Sequence, residues 1–211
     1  MERGVTEKTM VEQPIRFRRE GEISIVKWSF GWKRCFLRGG IAFPEYDKTR
    51  ERFSGAITVC AMVDGNAVIL FNETFEKYDF RLAELFNAVH EKYGVLKYYY
   101  REDGCGWEDA QRFSITAGRR RNENRDAVYP ILIPLSFPND YHAMESFMLR
   151  SANGTVTANE NSKLVSRLGD WTVDDGTAKA PPEIKSALYV LAGMDRDIGR
   201  YKAELEGISY A

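Results

Sequence analysis

Gly55-Ala-Ile-Thr-Val-Cys-Ala-Met-Val63, then Asp64-Gly65, then Ala67-Val-Ile-Leu-Phe71 reads as two strands joined by a tight hairpin turn. Both Asp64 and Gly65 tolerate the positive φ that a two-residue turn demands. Leu82, Leu85, Phe86, Val89 and Tyr93 follow at helical spacing, with Asp79 placed to cap the helix and Gly94 to close it. The next strand, Val95 to Arg101, runs directly into Glu102-Asp103-Gly104. A buried strand that ends in acids and then a glycine is a common way to hold a carboxylate at a sheet edge.

Composition bounds what such a core can belong to. The chain has 211 residues, 44% hydrophobic and 13% aromatic, enough for a sizeable core, so disorder is not expected. Thirty basic residues against thirty-one acidic ones leave a net charge of −1, so only local clustering can speak for a nucleic-acid partner. The three cysteines (Cys35, Cys60, Cys105) are far apart and form no C-x-x-C pair. That favours a reducing compartment and argues against a structural zinc site. With His90 and His142 as the two histidines, a metal site must be mainly carboxylate. No apolar run is long enough to span a membrane, and Met-Glu-Arg-Gly does not open a signal peptide, so a soluble intracellular protein is expected.

Upstream of the hairpin, residues 1–22 read as a charged arm and residues 23–211 as a single domain. Ile23 to Trp28 is a short strand. Trp28, Phe30, Trp32 and Phe36, mixed with Lys33, Arg34 and Arg38, are expected to pack into the core rather than to form a base-stacking platform. Cys35 to Phe43 reads as a strand broken at Gly39-Gly40 and ending at Pro44-Glu45-Tyr46-Asp47.

Downstream, Trp107 to Ile115 is expected to be a short helix, and Gly118 to Arg125 a basic loop. Val128 to Leu135 is extended, and its two prolines place it near a sheet edge. Helices follow over 140–150 and 161–168, with a turn at Asn153-Gly154 between them. The last helix starts at Pro181-Pro182, since proline fits a first helical turn. Ile184, Ala187, Leu188, Leu191 and Ala192 form its apolar stripe.

Antiparallel strands followed by helix-linked strands give an α/β fold: a mixed sheet of antiparallel hairpin strands and parallel strands, with helices on both faces. That order is the ribonuclease-H-like arrangement. Neither G-x-G-x-x-G nor G-x-x-x-x-G-K-[ST] occurs, which sets aside a dinucleotide fold and a P-loop.

With these elements placed, the chain resembles the C-terminal nuclease domain of phage terminase large subunits. The likeness rests on the acid-terminated strand before Gly55-Ala-Ile-Thr-Val, and on the helix that leads by Gly94 into Arg101-Glu-Asp-Gly-Cys-Gly106. It rests also on Met144 to Val156 with its Asn-Gly turn, and on Leu164 to Trp171 ahead of Pro181-Pro-Glu-Ile-Lys-Ser-Ala-Leu-Tyr189.

The resemblance implies a metal-dependent endonuclease cutting double-stranded DNA, with acids holding two Mg²⁺ or Mn²⁺ ions. It implies Glu45 or Asp47 at the first strand end, Glu102 with Asp103 beside it at the second, and Glu183 on the last helix. Each has a plainer alternative: a solvated acid beside Lys48 and Arg50, an Asp-Gly turn, and an acid complementing a helix dipole. Asp174 and Asp175 are substitutes if their loop folds inward. Arg119, Arg120, Arg121 and Arg125 are the candidate phosphate contacts.

Other expectations of the resemblance are an ATPase or other packaging component as partner, no membrane, no small-molecule cofactor, and residence in the host cytoplasm. The chain also departs from the family: Pro181 and Pro182 stand where His-Asp is usual, and Ser186 stands where a later Asp is usual. A catalytically degenerate module of the same fold, binding DNA or protein during phage assembly, is therefore the alternative.

Overall fold

A computed structural model describes residues 16–20, 23–28, 31–47, 52–76, 80–101, 111, 130–136, 141–158, 163–172, 176, 179–202 and 205. Its strands are β1 (Arg16–Glu20), β2 (Ile23–Trp28), β3 (Gly31–Asp47), β4 (Arg52–Val63), β5 (Asn66–Phe75), β6 (Lys97–Arg101), β7 (Ile131–Leu135) and β8 (Val156–Ala158). The helices are α1 (Phe80–Tyr93), α2 (Tyr141–Ala152), α3 (Lys163–Leu168) and α4 (Pro182–Asp197), followed by a 3₁₀ turn at Ile198–Tyr201. Among the described residues the strands form one sheet in the order β1-β2-β3-β4-β5-β8, with β6 beside β3 and β7 beyond β6.

The hairpin is as its residues demand. Asp64 has φ 48° and Gly65 φ 83°, both positive, and β4 pairs antiparallel with β5 from Val63↔Asn66 onward. Gly94, at φ 69°, closes α1. β6 pairs parallel with both β3 and β7, giving the mixed ribonuclease-H-like sheet. β7, carrying Pro134, lies at its edge, where a missing N–H is tolerated.

Strand alternation sorts the core into two layers. From β3, Phe36 and Ala42 face α2, α3 and α4, while Cys35, Leu37, Ile41 and Phe43 face α1. Of the aromatics expected in the core, Trp28 and Phe36 are buried, but Trp32 is 53% exposed. Phe30 lies outside the described residues.

β3 corrects one expectation: the strand runs through Gly39-Gly40 without a break. Both glycines are there for space. A Cβ on Gly39 would overlap the Tyr98 ring, and one on Gly40 would overlap the Ser186 carbonyl oxygen and lie 2.9 Å from Val190 Cβ. Residues 16–20, read from sequence as part of a charged arm, form β1.

Helix α4 explains the closeness. Gly40 pairs with Tyr99 on β6 and with Thr58 on β4, and Thr58 pairs with Asn72 on β5. These four residues make a row across the sheet, and α4 lies along it. Its Glu183 carbonyl accepts from Asn72 Nδ2 (3.1 Å), its Ser186 hydroxyl meets Thr58 Oγ1 (2.7 Å), and Val190 covers Gly40. A Cβ on Gly193 would overlap the Tyr99 ring, and Asp197 Oδ2 accepts from the Tyr99 hydroxyl at 2.7 Å. On its other side, α4 is tied to α2 through Asp195, which accepts from Ser146 and pairs with Arg150.

The end of α4 is pH-sensitive. Burial alone would raise the Asp197 carboxyl, but the Arg196 guanidinium fork and the Tyr99 hydroxyl outweigh it and hold it below its ordinary value of 3.8. A lowered carboxyl contributes stability above its unfolded value of about 3.9, which is lost as pH falls through the folded value. Urea midpoints should therefore fall more steeply with acidification for the natural chain than for Asp197→Asn, the two approaching each other as the pH drops through the folded value.

Candidate active site

Parallel pairing of β3 with β6 (Gly39↔Tyr98, Gly40↔Tyr99) sends the C-terminal ends of both strands to one rim. β3 brings Glu45 there opposite Ser54, and Asp47 opposite Arg52. β6 ends at Arg101, the residue before Glu102. The carboxyl ends of parallel strands are where ligands collect in open α/β sheets. Of Glu45 and Asp47 only the strand positions are described. Glu102, Asp103, Asp174, Asp175, Arg119, Arg120, Arg121 and Arg125 lie outside the described residues, as do the basic loop and, apart from the helical Gln111, the expected helix from Trp107.

Ser54 is a rim residue that sequence reading missed. It is 1% exposed, and its hydroxyl has no hydrogen-bond partner among the described residues. Buried hydroxyls are seldom left so, and this one belongs to the residue paired with Glu45. A serine in Phe53-Ser-Gly55 carries no periodic or motif signal that would single it out.

Glu183 occupies the first turn of α4, which Pro181 and Pro182 start: the N–H groups of Ile184 and Lys185 bond the Pro181 carbonyl at 2.9 and 3.0 Å. It is no solvated acid at a helix end. Its side chain is buried, with Oε1 3.7 Å from Arg167 Nε on α3. Arg167 also reaches Asp170 Oδ2 at 3.9 Å. Because Asn72 holds the Glu183 carbonyl, α4 begins over β5, two strands and about 10 Å across the sheet from β3. Ser186, where the resemblance calls for a later acid, is buried and hydrogen-bonded to Thr58 and to the Glu183 carbonyl.

The structure thus gathers the Glu45 strand position and the β6 end at one rim, and places Glu183 at the start of the helix that crosses the same sheet. Among the described residues no three His, Cys, Asp or Glu side chains are grouped closely enough to hold a metal ion. At Cys35 and Cys60 thiolate chemistry is disfavoured: burial pushes both thiols up to about 12, which keeps them protonated. Among the described residues no helix is long and apolar enough to cross a membrane.

No protein-family model matches the sequence, and no curated protein matches it. Solved structures do resemble it. The large terminase nuclease from thermophilic phage G20c superposes with a TM-score of 0.50 at 12% identity, over 87% of this chain and 93% of that one. The human cytomegalovirus terminase nuclease domain, soaked in Mn, gives 0.48 at 12% identity, over 76% and 84%. The large terminase nuclease domain of Thermus phage P74-26 gives 0.44 at 11% identity, over 88% and 90%. At such identities the G20c likeness establishes architecture: the chain has the ribonuclease-H-like fold of a large terminase nuclease domain.

Proposed function

We propose that this chain is a divalent-metal-dependent endonuclease domain acting on double-stranded DNA, with Glu45 (or Asp47), Glu102 and Glu183 as the carboxylates that hold the ions and Asp103 beside them. One observation carries the reading: β3 and β6 run parallel, so the strand that bears Glu45 and the strand that precedes Glu102 end at the same rim. Fold alone assigns no activity, so the donor set matters more. Carboxylate oxygens are hard ligands that suit Mg²⁺ or Mn²⁺. The unpartnered Ser54 hydroxyl opposite Glu45 fits a rim built to engage something polar. A bound pair of ions supplies polarisation of the phosphate and a lowered pKa for nearby water. The chain's own part is to hold ionised carboxylates at the rim and to set Arg119, Arg120, Arg121 and Arg125 on DNA phosphates, a contact indifferent to sequence and weakened by salt. An ATPase or other phage packaging component is the natural partner, in the host cytoplasm.

Ser186 favours a second reading. The helix position where the resemblance calls for an acid holds a serine committed to Thr58, which suits a non-catalytic assembly module. Supercoiled plasmid separates the two. With Mn²⁺ the nuclease reading predicts relaxed and linear products, abolished by EDTA; intact plasmid in Mn²⁺ and in Mg²⁺ contradicts it and leaves the module.

A further inference from the structure

Past the end of α4, the sheet continues into β1, β2 and the first part of β3. Arg16 pairs with Lys27 and Lys27 with Trp32; Arg18 pairs with Ile25 and Ile25 with Arg34. Directly opposed residues share a face, so these two rows lie side by side on one surface. The alternate residues Val26, Trp28 and Cys35 are buried in the layer that faces α1. The α4 layer ends at Ile23 and Phe36, against which Tyr201 packs with ring centroids 5.1 Å apart. Beyond that point Trp32 and Arg34 are exposed, and Lys27 and Ile25 are half-buried. Lys27 Nζ lies 6.0 Å from the centre of the Trp32 ring.

By strand position Arg16, Lys27, Arg18 and Arg34 occupy the two rows, around an exposed indole, and the one acid of β1, Glu20, comes a row further on, opposite the buried Ile23. The chain as a whole is near neutral, so this is local concentration. A polyanion complements the charge, and the indole adds a demand that a closed duplex does not meet: an accessible base face. We propose that this surface binds single-stranded nucleic acid without sequence preference, Trp32 stacking on a base while Lys27 and Arg34, with the strand positions of Arg16 and Arg18, take the phosphates. A protein partner is less well matched, since Trp32 and the partly buried Ile25 are all the apolar side chains the two rows offer. Counted along β3, Trp32 lies about 40 Å from Glu45, so this is a second nucleic-acid contact, separate from the cutting rim.

The test is fluorescence anisotropy of a labelled deoxythymidine oligomer of about a dozen nucleotides with the full chain in EDTA. Omitting metal makes the result independent of the nuclease reading, which the plasmid assay tests by itself. Binding should weaken steeply with salt, with a log–log slope near −3 for about four neutralised phosphates. Trp32→Ala should weaken it about 5- to 100-fold and Trp32→Phe far less, while binding of the same-length duplex stays level. Lys27→Glu with Arg34→Glu should weaken it tenfold or more and flatten the salt slope by about one or more. Circular dichroism confirms that the variants stay folded; Arg34→Glu alone serves if the double variant does not. Oligomer binding that ignores both Trp32 and the two cations overturns the proposal and returns the surface to a protein partner.

Discussion

Gly40→Ala is expected to destabilise the chain by about 3 kcal/mol, the upper end for an overpacked core and a large share of a typical domain's margin. The added methyl would occupy the place of the Ser186 carbonyl oxygen and crowd Val190, and a backbone atom cannot rotate aside. Nor can α4 lift: Asn72 holds its first turn, Thr58 its second, and Tyr99 its far end through Asp197. On the opposite side Asp195 pins it to Arg150, whose Nη1 donates to the Gly65 carbonyl at 3.1 Å. Urea unfolding should show the midpoint moving down by about 1–2 M, with the slope unchanged. Gly199→Ala, where nothing lies within 4 Å of the added carbon, should leave it in place.

Glu102→Ala carries the second large effect. Under the proposed function it should lower plasmid nicking at least a thousandfold, about 4 kcal/mol of transition-state stabilisation, with the urea midpoint little changed. A carboxylate whose role is to hold an ion can be removed without removing apolar packing, so activity and stability should separate cleanly. Loss of both together would make Glu102 a structural residue instead. Nicking that survives the substitution unchanged would remove it from the reaction.

Much of the architecture could be read from local chemistry. Asp64-Gly65 specified the hairpin, Gly94 the end of α1, Pro181-Pro182 the start of α4, and the proline in β7 its edge position. Each is a backbone constraint imposed by its own residue. What failed were judgements that depend on a distant neighbour. Gly39-Gly40 resembles a break because glycine weakens a strand, yet the pair accommodates Tyr98 and α4, the latter nearly one hundred and fifty positions later.

The site divides the same way. The strand ends bearing Glu45 and preceding Glu102 were legible, since strand order fixes which ends share a rim. Ser54 and Arg167 were not: each owes its role to a partner that no sequence spacing announces, the register opposite Glu45 in one case and the buried Glu183 in the other. Ser186 was visible as a departure from the family pattern, but its bond to Thr58 could come only from the crossing of α4 over β4.

Calorimetric titration of Mn²⁺ into the natural chain, Glu45→Ala and Glu102→Ala tests the carboxylate rim most directly. Saturable binding of about two ions per chain, lost or reduced to one in each variant, is the predicted result. Absence of saturable heat in the natural chain, or isotherms that all three proteins share, would contradict a metal centre built on those acids.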